Sequence, residues 1–287
     1  MAASASVVRG DYPFTDRDFR SIATLAHENF GLFLEPCKKQ LAYSRLAKRL
    51  RFLGLESFAE YCDMLQGPLG KDELREMLSA LTTNVTQFFR EKHHFDQLRT
   101  EILPELLHRA KAGERVRFWS AGCSAGQEAY SLALTILELC PRVAEHDVRI
   151  LATDIDPVIL QRAIQARYPI AEREAIPGNL RQAHTVVDGD GFVMSPAVRS
   201  LVSFGELNLM APWPMKGRFD VIMCRNVAIY FDAATQAKLW KRFADLLTPD
   251  GHLMIGHSER LSGPAADDLH TCGVTAYRKT QRGRLAG

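Results

Sequence analysis

The apolar positions change period once along the chain. From residue 14 to about 110 they recur every three to four residues, the period of an amphipathic helix. Thr15 ahead of DRDF has the form of an N-cap, and Phe19, Ile22, Ala23 and Ala26 follow at helical spacing. Further helices are predicted in LAYSRLAKRLRFLG, which stops at Gly54, in SFAEYCDMLQG, and in KDELREMLSALTTN. A fifth covers EKHHFDQLRTEILPELLHRAKAG, where Pro104 restarts the helix.

Beyond Gly113 short apolar runs alternate with helical segments. RVRFWSAG precedes GQEAYSLALTILELC, DVRILATDID precedes PVILQRAIQARY, and FDVIMCRN precedes AATQAKLWKRFADLL. A turn at Pro249, Asp250 and Gly251 then enters HLMIGHSE. This alternation predicts the α/β class, with a mostly parallel, doubly wound sheet. Residues 170–207 break it. There TVV, DGDG and FVM read as a β-hairpin, followed by VRSLVSFGEL, so a small β insertion is predicted. The predicted organisation is an all-helical domain over 14–80, a linker and connecting helix over 81–112, and an α/β domain over 113–287 with its β-subdomain at about 170–205.

Composition narrows the partners. The 287 residues are 46% hydrophobic and 24% charged, which suits one or two globular domains. A net charge of +2 makes no bulk case for nucleic acid, and none is expected as a partner. Cys37, Cys62, Cys123, Cys140, Cys224 and Cys272 form no C-x-x-C pair, so zinc-ribbon and thioredoxin readings fail, and no metal is expected. Their apolar settings suggest reduced thiols in a cytosol. No apolar run reaches the roughly 18 residues of a membrane span. MAASASVVRGDYPF lacks the pattern of a signal peptide and reads as a frayed tail; RKTQRGRLAG reads as a short basic tail. A cytoplasmic protein without direct membrane insertion is expected.

The loop WSAGCSAGQEAYS follows a strand and opens a helix, the place where doubly wound folds hold nucleotide-like ligands. Gly122 and Gly126 would let the backbone approach such a ligand, although the spacing is not G-x-G-x-x-G. A tight turn of small residues is the alternative. The same letters also spell G-x-S-x-G, the nucleophile elbow of serine hydrolases, with Ser124, Asp220 and His257 in chain order. Against that reading, everything upstream is helical and no His-Gly run supplies a second oxyanion donor. The next strand ends in Asp154, where an acid accepts hydrogen bonds from a ribose. Asp154 and Asp156 also precede Pro157, so helix capping is the alternative, with Asp156 as the cap and Asp154 as the ligand. An acid here suits a free 2′-hydroxyl and argues against NADP.

Three further segments carry a family resemblance. LTTNVTQFFRE (81–91), CRNVAIYFD (224–232) and PDGHLMIGHSE (249–259), together with WSAGCSAGQE and ATDID, resemble in sequence and order the CheR-type chemotaxis receptor methyltransferases. The likeness spans roughly residues 14–280. It implies S-adenosylmethionine as cofactor, S-adenosylhomocysteine as product, and glutamate carboxylates of chemoreceptors as methyl acceptors in sensory adaptation. By position it implies that Asn84, Thr86 and Arg90 reach the cofactor from the linker. Glu128 and Asp154 would contact its amino-acid end and its ribose, Asn208 and Leu209 would flank the adenine, and Arg225 and Asn226 would line the pocket. Arg90 and Tyr230 would stand near the transferred methyl. The loop departs from the family at Ala125, Gln127 and Ala129, which replace a commoner threonine, acid and proline.

The chemistry agrees with that resemblance. An ionised glutamate (unperturbed pKa roughly 4.3) needs no base at neutral pH, so positioning suffices. Arg90 is a sensible anchor for a carboxylate, and Tyr230 could orient it through its hydroxyl. An ordinary surface arginine and a half-buried aromatic are the plain alternatives. Arg45, Lys48 and Arg49 share a helical face that would complement acidic receptor helices, or would simply be solvated. The β insertion corresponds to the subdomain that captures a receptor's C-terminal peptide in some relatives. A monomer is expected.

Overall fold

Thr15 fixes the start of α1 (Asp16–Phe30). Its hydroxyl accepts from the Asp18 N–H, and the Asp18 carboxylate accepts from the Thr15 N–H, a reciprocal capping box. The computed structural model describes residues 11–68 and 70–280. They divide into two units, Met1–Thr83 with Tyr230–Asp232, and Asn84–Ile229 with Ala233–Gly287. The sequence expectations about the two tails fall largely on residues 1–10 and 281–287, outside the described residues.

The first unit contains α1, α2 (Lys39–Leu53), α3 (Phe58–Gln66) and α4 (Gly70–Leu81). Phe14, Ile22, Leu46, Phe58, Tyr61 and Met77 are fully buried between them. The basic face expected on α2 is largely committed inside the unit. Arg45 donates to the carbonyls of Leu81 (2.7 Å) and Thr82 (3.0 Å) and to the Thr83 hydroxyl (2.7 Å), closing the C-terminus of α4. Arg49 pairs with Glu73 at 2.6 Å and Glu76 at 3.2 Å, and Tyr61 donates to Glu73 at 2.9 Å. Glu73 is buried, and a buried carboxylate must be paired. Of the three basic residues only Lys48 is exposed.

The second unit begins with α5 (Lys92–Gln97), a π turn over Leu98–Ile102 and α6 (Leu103–Lys111). Pro104 restarts the helix as predicted, and the wide turn is how it does so. The Leu103 N–H reaches back to the Leu98 carbonyl, which makes room for a ring that would clash in a regular helix. There follow β1 (Val116–Ala121), α7 (Gln127–Leu139), β2 (Val148–Asp154), α8 (Pro157–Gln165), β3 (Arg167–Pro169), α9 (Gly178–His184), β4 (Thr185–Asp188), β5 (Gly191–Met194), α10 (Pro196–Arg199), β6 (Val202–Glu206), β7 (Phe219–Cys224), α11 (Ala233–Leu246), β8 (Leu247–Ile255), β9 (Leu269–Gly273) and β10 (Ala276–Lys279).

Seven strands form one sheet in the order β6-β2-β1-β7-β8-β10-β9. The first five are parallel, and β10 and β9 add antiparallel at one edge. The mostly parallel sheet expected from the alternation is present. Its interior strand β7 is buried at every position, as a strand covered on both faces must be.

Two details differ from the pattern reading. The β insertion is a three-stranded antiparallel sheet, β3-β5-β4, that starts at Arg167 and is complete by Met194. The segment SLVSFGEL, read as part of it, instead supplies β6, which pairs in parallel with β2. A five-residue strand with only Val202 and Phe204 as apolar side chains satisfies either sheet, so local pattern cannot choose. Pro249–Gly251 does not precede a strand but lies inside β8, where Asp250 takes φ 64° and the pairing with β7 shifts register.

Candidate active site

In parallel sheets ligands bind beyond the carboxyl ends of the strands, where the chain reverses direction between neighbours. Here the loops after β1, β2, β6, β7 and β8 meet at that end. They carry Gly122, Asp154, Asn208, Leu209, Arg225 and Asn226, and Glu128 sits on the first turn of α7. The structure therefore brings together the predicted residues of the second unit.

The β1 loop is bent at Gly122 (φ 79°) and Ser124 (φ 49°). A Cβ on Gly122 would stand 2.4 Å from Val227 Cγ2, so the glycine is required by the neighbouring loop as well as by its own turn. The Gly122 and Cys123 N–H groups both donate to the Thr153 carbonyl, which locks the loop to β2. Asp154 Oδ2 accepts from the Ser124 N–H at 2.7 Å, and Oδ1 accepts from the Asp156 N–H at 3.1 Å. Burial pushes the Asp154 carboxyl above its ordinary value, and these amides oppose the rise. Asp156 is the helix cap, accepting from Val158 and Ile159 N–H. Glu128 accepts from the Ser120 hydroxyl at 2.7 Å and faces Arg225 at 3.4 Å; burial raises its carboxyl and the guanidinium opposes that.

Arg225 is almost wholly enclosed, its side chain 2% exposed. It lies between Glu91 (3.4 Å) and Glu128 (3.4 Å), donates to the Arg90 carbonyl, and stands over the Phe95 ring. Segment 84–91 is thereby fixed to the carboxyl ends. Its other end is held where Ser124 Oγ donates to the Asn84 carbonyl and Asn84 Nδ2 donates to Asp156, both at 3.4 Å. Between these ties Arg90 donates to the Val85 carbonyl at 2.9 Å, and Thr86 lies on the same segment. Phe89, Glu91, Ser124 and Asn226 all have positive φ, between 49° and 61°. Such conformations carry a penalty of about 1–3 kcal/mol each and concentrate at functional sites. Tyr230 belongs to the first unit, where its hydroxyl accepts from the Thr83 N–H (3.3 Å) and donates to the Thr83 carbonyl (3.2 Å).

Two site residues are not singled out by pattern. Glu259 is buried and its carboxylate accepts from the N–H groups of Gly256 (2.5 Å), Asn226 (3.1 Å), Val227 (3.0 Å), Ala228 (2.7 Å) and Ile229 (3.3 Å). This single acid shapes the loop after β7. A Cβ on Gly256 would lie 2.7 Å from the Asn226 N, so the glycine permits the close approach. The one sequence signal for Glu259 is that it ends the segment PDGHLMIGHSE. Arg242 stacks on Trp213 at 3.7 Å and donates to the carbonyls of Leu209 and Ala211, fixing the loop that holds Asn208 and Leu209. No sequence signal marks it.

The serine hydrolase alternative fails on position. Ser124 is at the carboxyl end of β1. Asp220 is near the amino end of the parallel strand β7, paired with Arg109 at 3.1 Å and with the Arg117 N–H at 2.9 Å. His257 contacts Glu91. The three do not form a relay.

Comparisons with known proteins agree with this geometry. Residues 17–82 match the CheR methyltransferase all-alpha domain and residues 84–278 match the CheR methyltransferase SAM binding domain. A probable chemotaxis protein methyltransferase of Rhizobium etli is 52% identical over 90% of this chain and 98% of its own length. Chemotaxis protein methyltransferase 2 of Pseudomonas aeruginosa is 39% identical over 93% of this chain and 94% of its own, and the chemotaxis protein methyltransferase of Escherichia coli is 38% identical over 86% of each. With both domain models matched in order along a sheet whose carboxyl end gathers buried acids and bent loops, the chain belongs to the CheR methyltransferase family and is an S-adenosylmethionine-dependent methyltransferase.

Proposed function

We propose that the chain transfers the methyl group of S-adenosylmethionine to glutamate side-chain carboxylates of chemoreceptors, giving glutamyl methyl esters, and that it acts in the cytoplasm as a monomer. The observation that carries this reading is the double anchoring of segment 84–91, which holds Arg90 at the end of the sheet where the buried acids lie.

The residues fit a cofactor that combines an adenosyl group with a charged amino acid. Asn226 Oδ1 is a buried acceptor without a hydrogen-bond partner, and a buried polar atom of this kind calls for one. Each Asp154 oxygen accepts one amide and keeps accepting capacity for a ribose hydroxyl. Glu128 offers a half-buried carboxyl to an amino group, while Asn84, Thr86, Gly122, Asn208, Leu209 and Arg225 complete the walls. When bound, the cofactor supplies an electrophilic methyl on a sulfonium.

The chain's own task is positioning. The acceptor carboxylate is ionised at neutral pH, so no residue has to remove a proton. Arg90 keeps free guanidinium donors beyond its bond to Val85 and anchors the acceptor in its charged form. Tyr230, whose hydroxyl proton is given to the Thr83 carbonyl, would orient the acceptor only by exchanging that bond for one to the carboxylate. Because Arg45 and Arg49 are bound up within the helical unit, Lys48 is the residue of that basic trio left to meet an acidic receptor helix.

Incubation with methyl-labelled cofactor and a receptor cytoplasmic fragment tests the reading. Base-labile label on the fragment, lost in Arg90→Ala, is the expected result. Saturable cofactor binding with no label on the fragment, or label stable to base, would overturn it.

A further inference from the structure

Just after Arg90 the chain carries Glu91, His93 and His94, a grouping with no helical metal-site spacing. One ligand atom from each residue lies within 4.8 Å of the other two. His94 is fully buried. Its Nε2 stands 3.1 Å from the Val274 carbonyl and 3.0 Å from the Thr275 hydroxyl. A carbonyl oxygen only accepts, so Nε2 carries the ring proton and Nδ1 presents a lone pair. That lone pair has no hydrogen-bond partner and faces Glu91 Oε2 at 3.6 Å, too long for a hydrogen bond. His93 Nε2 is likewise buried without a partner. A buried lone pair directed at a carboxylate is repulsive unless a cation lies between them.

The surroundings are those of a metal ligand set. The backbone carbonyl on His94 Nε2 fixes the tautomer and ring orientation, as an outer partner does for a metal-bound histidine. The other Glu91 oxygen is held by the N–H and ring of His257 at 3.2 and 3.1 Å. The opposing charge is Arg225, whose Nε is 3.4 Å from Glu91 Oε2, and Glu128 on its far side offsets it. An ion held at about 2.0–2.1 Å by each ligand sets neighbouring ligand atoms about 3.4 Å apart, so closure asks for side-chain shifts of about an ångström or less.

We propose that Glu91, His93 and His94 bind one divalent transition-metal ion of the imidazole-preferring class, such as zinc, nickel or cobalt, through Glu91 Oε2, His93 Nε2 and His94 Nδ1. Two imidazoles and one carboxylate select such ions over magnesium or calcium. The proposal does not rest on the methyl-transfer reading, although Glu91 also pairs with Arg225 of the candidate cofactor pocket.

Cobalt(II) titration of the chelator-treated full chain, followed by its visible d–d absorption and by equilibrium dialysis, tests it. One saturable equivalent is expected, displaced by zinc. His93→Ala should weaken binding by at least about tenfold, with unchanged cofactor affinity and unfolding midpoint in the absence of metal. His94→Gln should show the same loss; because His94 is fully buried, His93→Ala alone decides if that variant does not fold. No saturable band, as when a proton alone separates His94 from Glu91, or binding undiminished in His93→Ala, would overturn the proposal.

Discussion

Two aspartates, Asp220 buried and Asp154 half-buried, stand at opposite ends of one sheet. Asp220, 3% exposed at the amino end of β7, has both oxygens engaged, one by Arg109 and the other by the Arg117 N–H. Asp154, at the carboxyl end of β2, is held by amides of the loops it organises, one of them from Ser124, which has positive φ. Both are acids in an α/β sheet. The two differ in which end of the strand bears the acid and in whether a cation already neutralises it. The acid at the amino end is ion-paired; the acid at the carboxyl end is held by the amides of bent loops.

The largest effect should come from removing the device that keeps those loops bent. Glu259→Ala leaves five backbone N–H groups without their acceptor, and a loss of about 3–5 kcal/mol in denaturant unfolding is expected. A loss below about 1 kcal/mol would mean that packing, not this carboxylate, shapes the loop after β7. Next, Asp220→Ala should lower stability by about 2–3 kcal/mol, because Arg109 and the Arg117 amide lose their partner, while cofactor affinity measured by calorimetry stays unchanged. Weakened cofactor binding in that variant would erase the distinction between the two ends. Asp154→Ala should do the reverse, weakening the cofactor by about 1.5–3 kcal/mol with a smaller change in stability.

The smallest effect is a dependence on pH. His252 in β8 lines a cavity of about 180 Å³ shared with Asp220 at the amino end. Burial, reinforced by Arg278, holds its imidazole down to about 4. The unfolded chain takes up that proton near pH 6.5, so between roughly 6.5 and 4 the unfolded state binds more protons. The stability tied to neutral His252 is thus complete above about pH 6.5 and is lost as pH falls toward 4. His252→Gln should flatten this acid limb in thermal unfolding curves, leaving the share due to His94, which burial also holds down to about 4. An unchanged slope would show that His252 stays accessible to protons in the fold.

Much of this architecture is legible in the amino-acid sequence. The helical period over 14–110, the alternation beyond Gly113, the cap at Thr15 and the restart at Pro104 all rest on short-range geometry that the backbone enforces locally. Asp156 declares itself as a cap because Pro157 follows it. The five family motifs place the site loops, because those loops need specific residues at fixed positions. Pattern fails where the same letters satisfy two environments. SLVSFGEL fits an insertion or a main-sheet edge. Arg45 and Arg49 fit a solvated face or an internal brace, since a helix face records which residues point together and not what they meet.

The sequence by itself determined the class of fold, the helical first part, the strand–helix alternation beyond Gly113 and the family, because periodicity, capping and turn chemistry are local. Only the tertiary structure decided which charges answer which. Glu259 gathers the amides of residues 226–229, Arg225 lies between Glu91 and Glu128, Arg242 fixes the Leu209 loop, and Arg45 closes α4. Each of these partnerships joins residues far apart in the chain. Burial forces every such charge to find a partner, but no local rule names it.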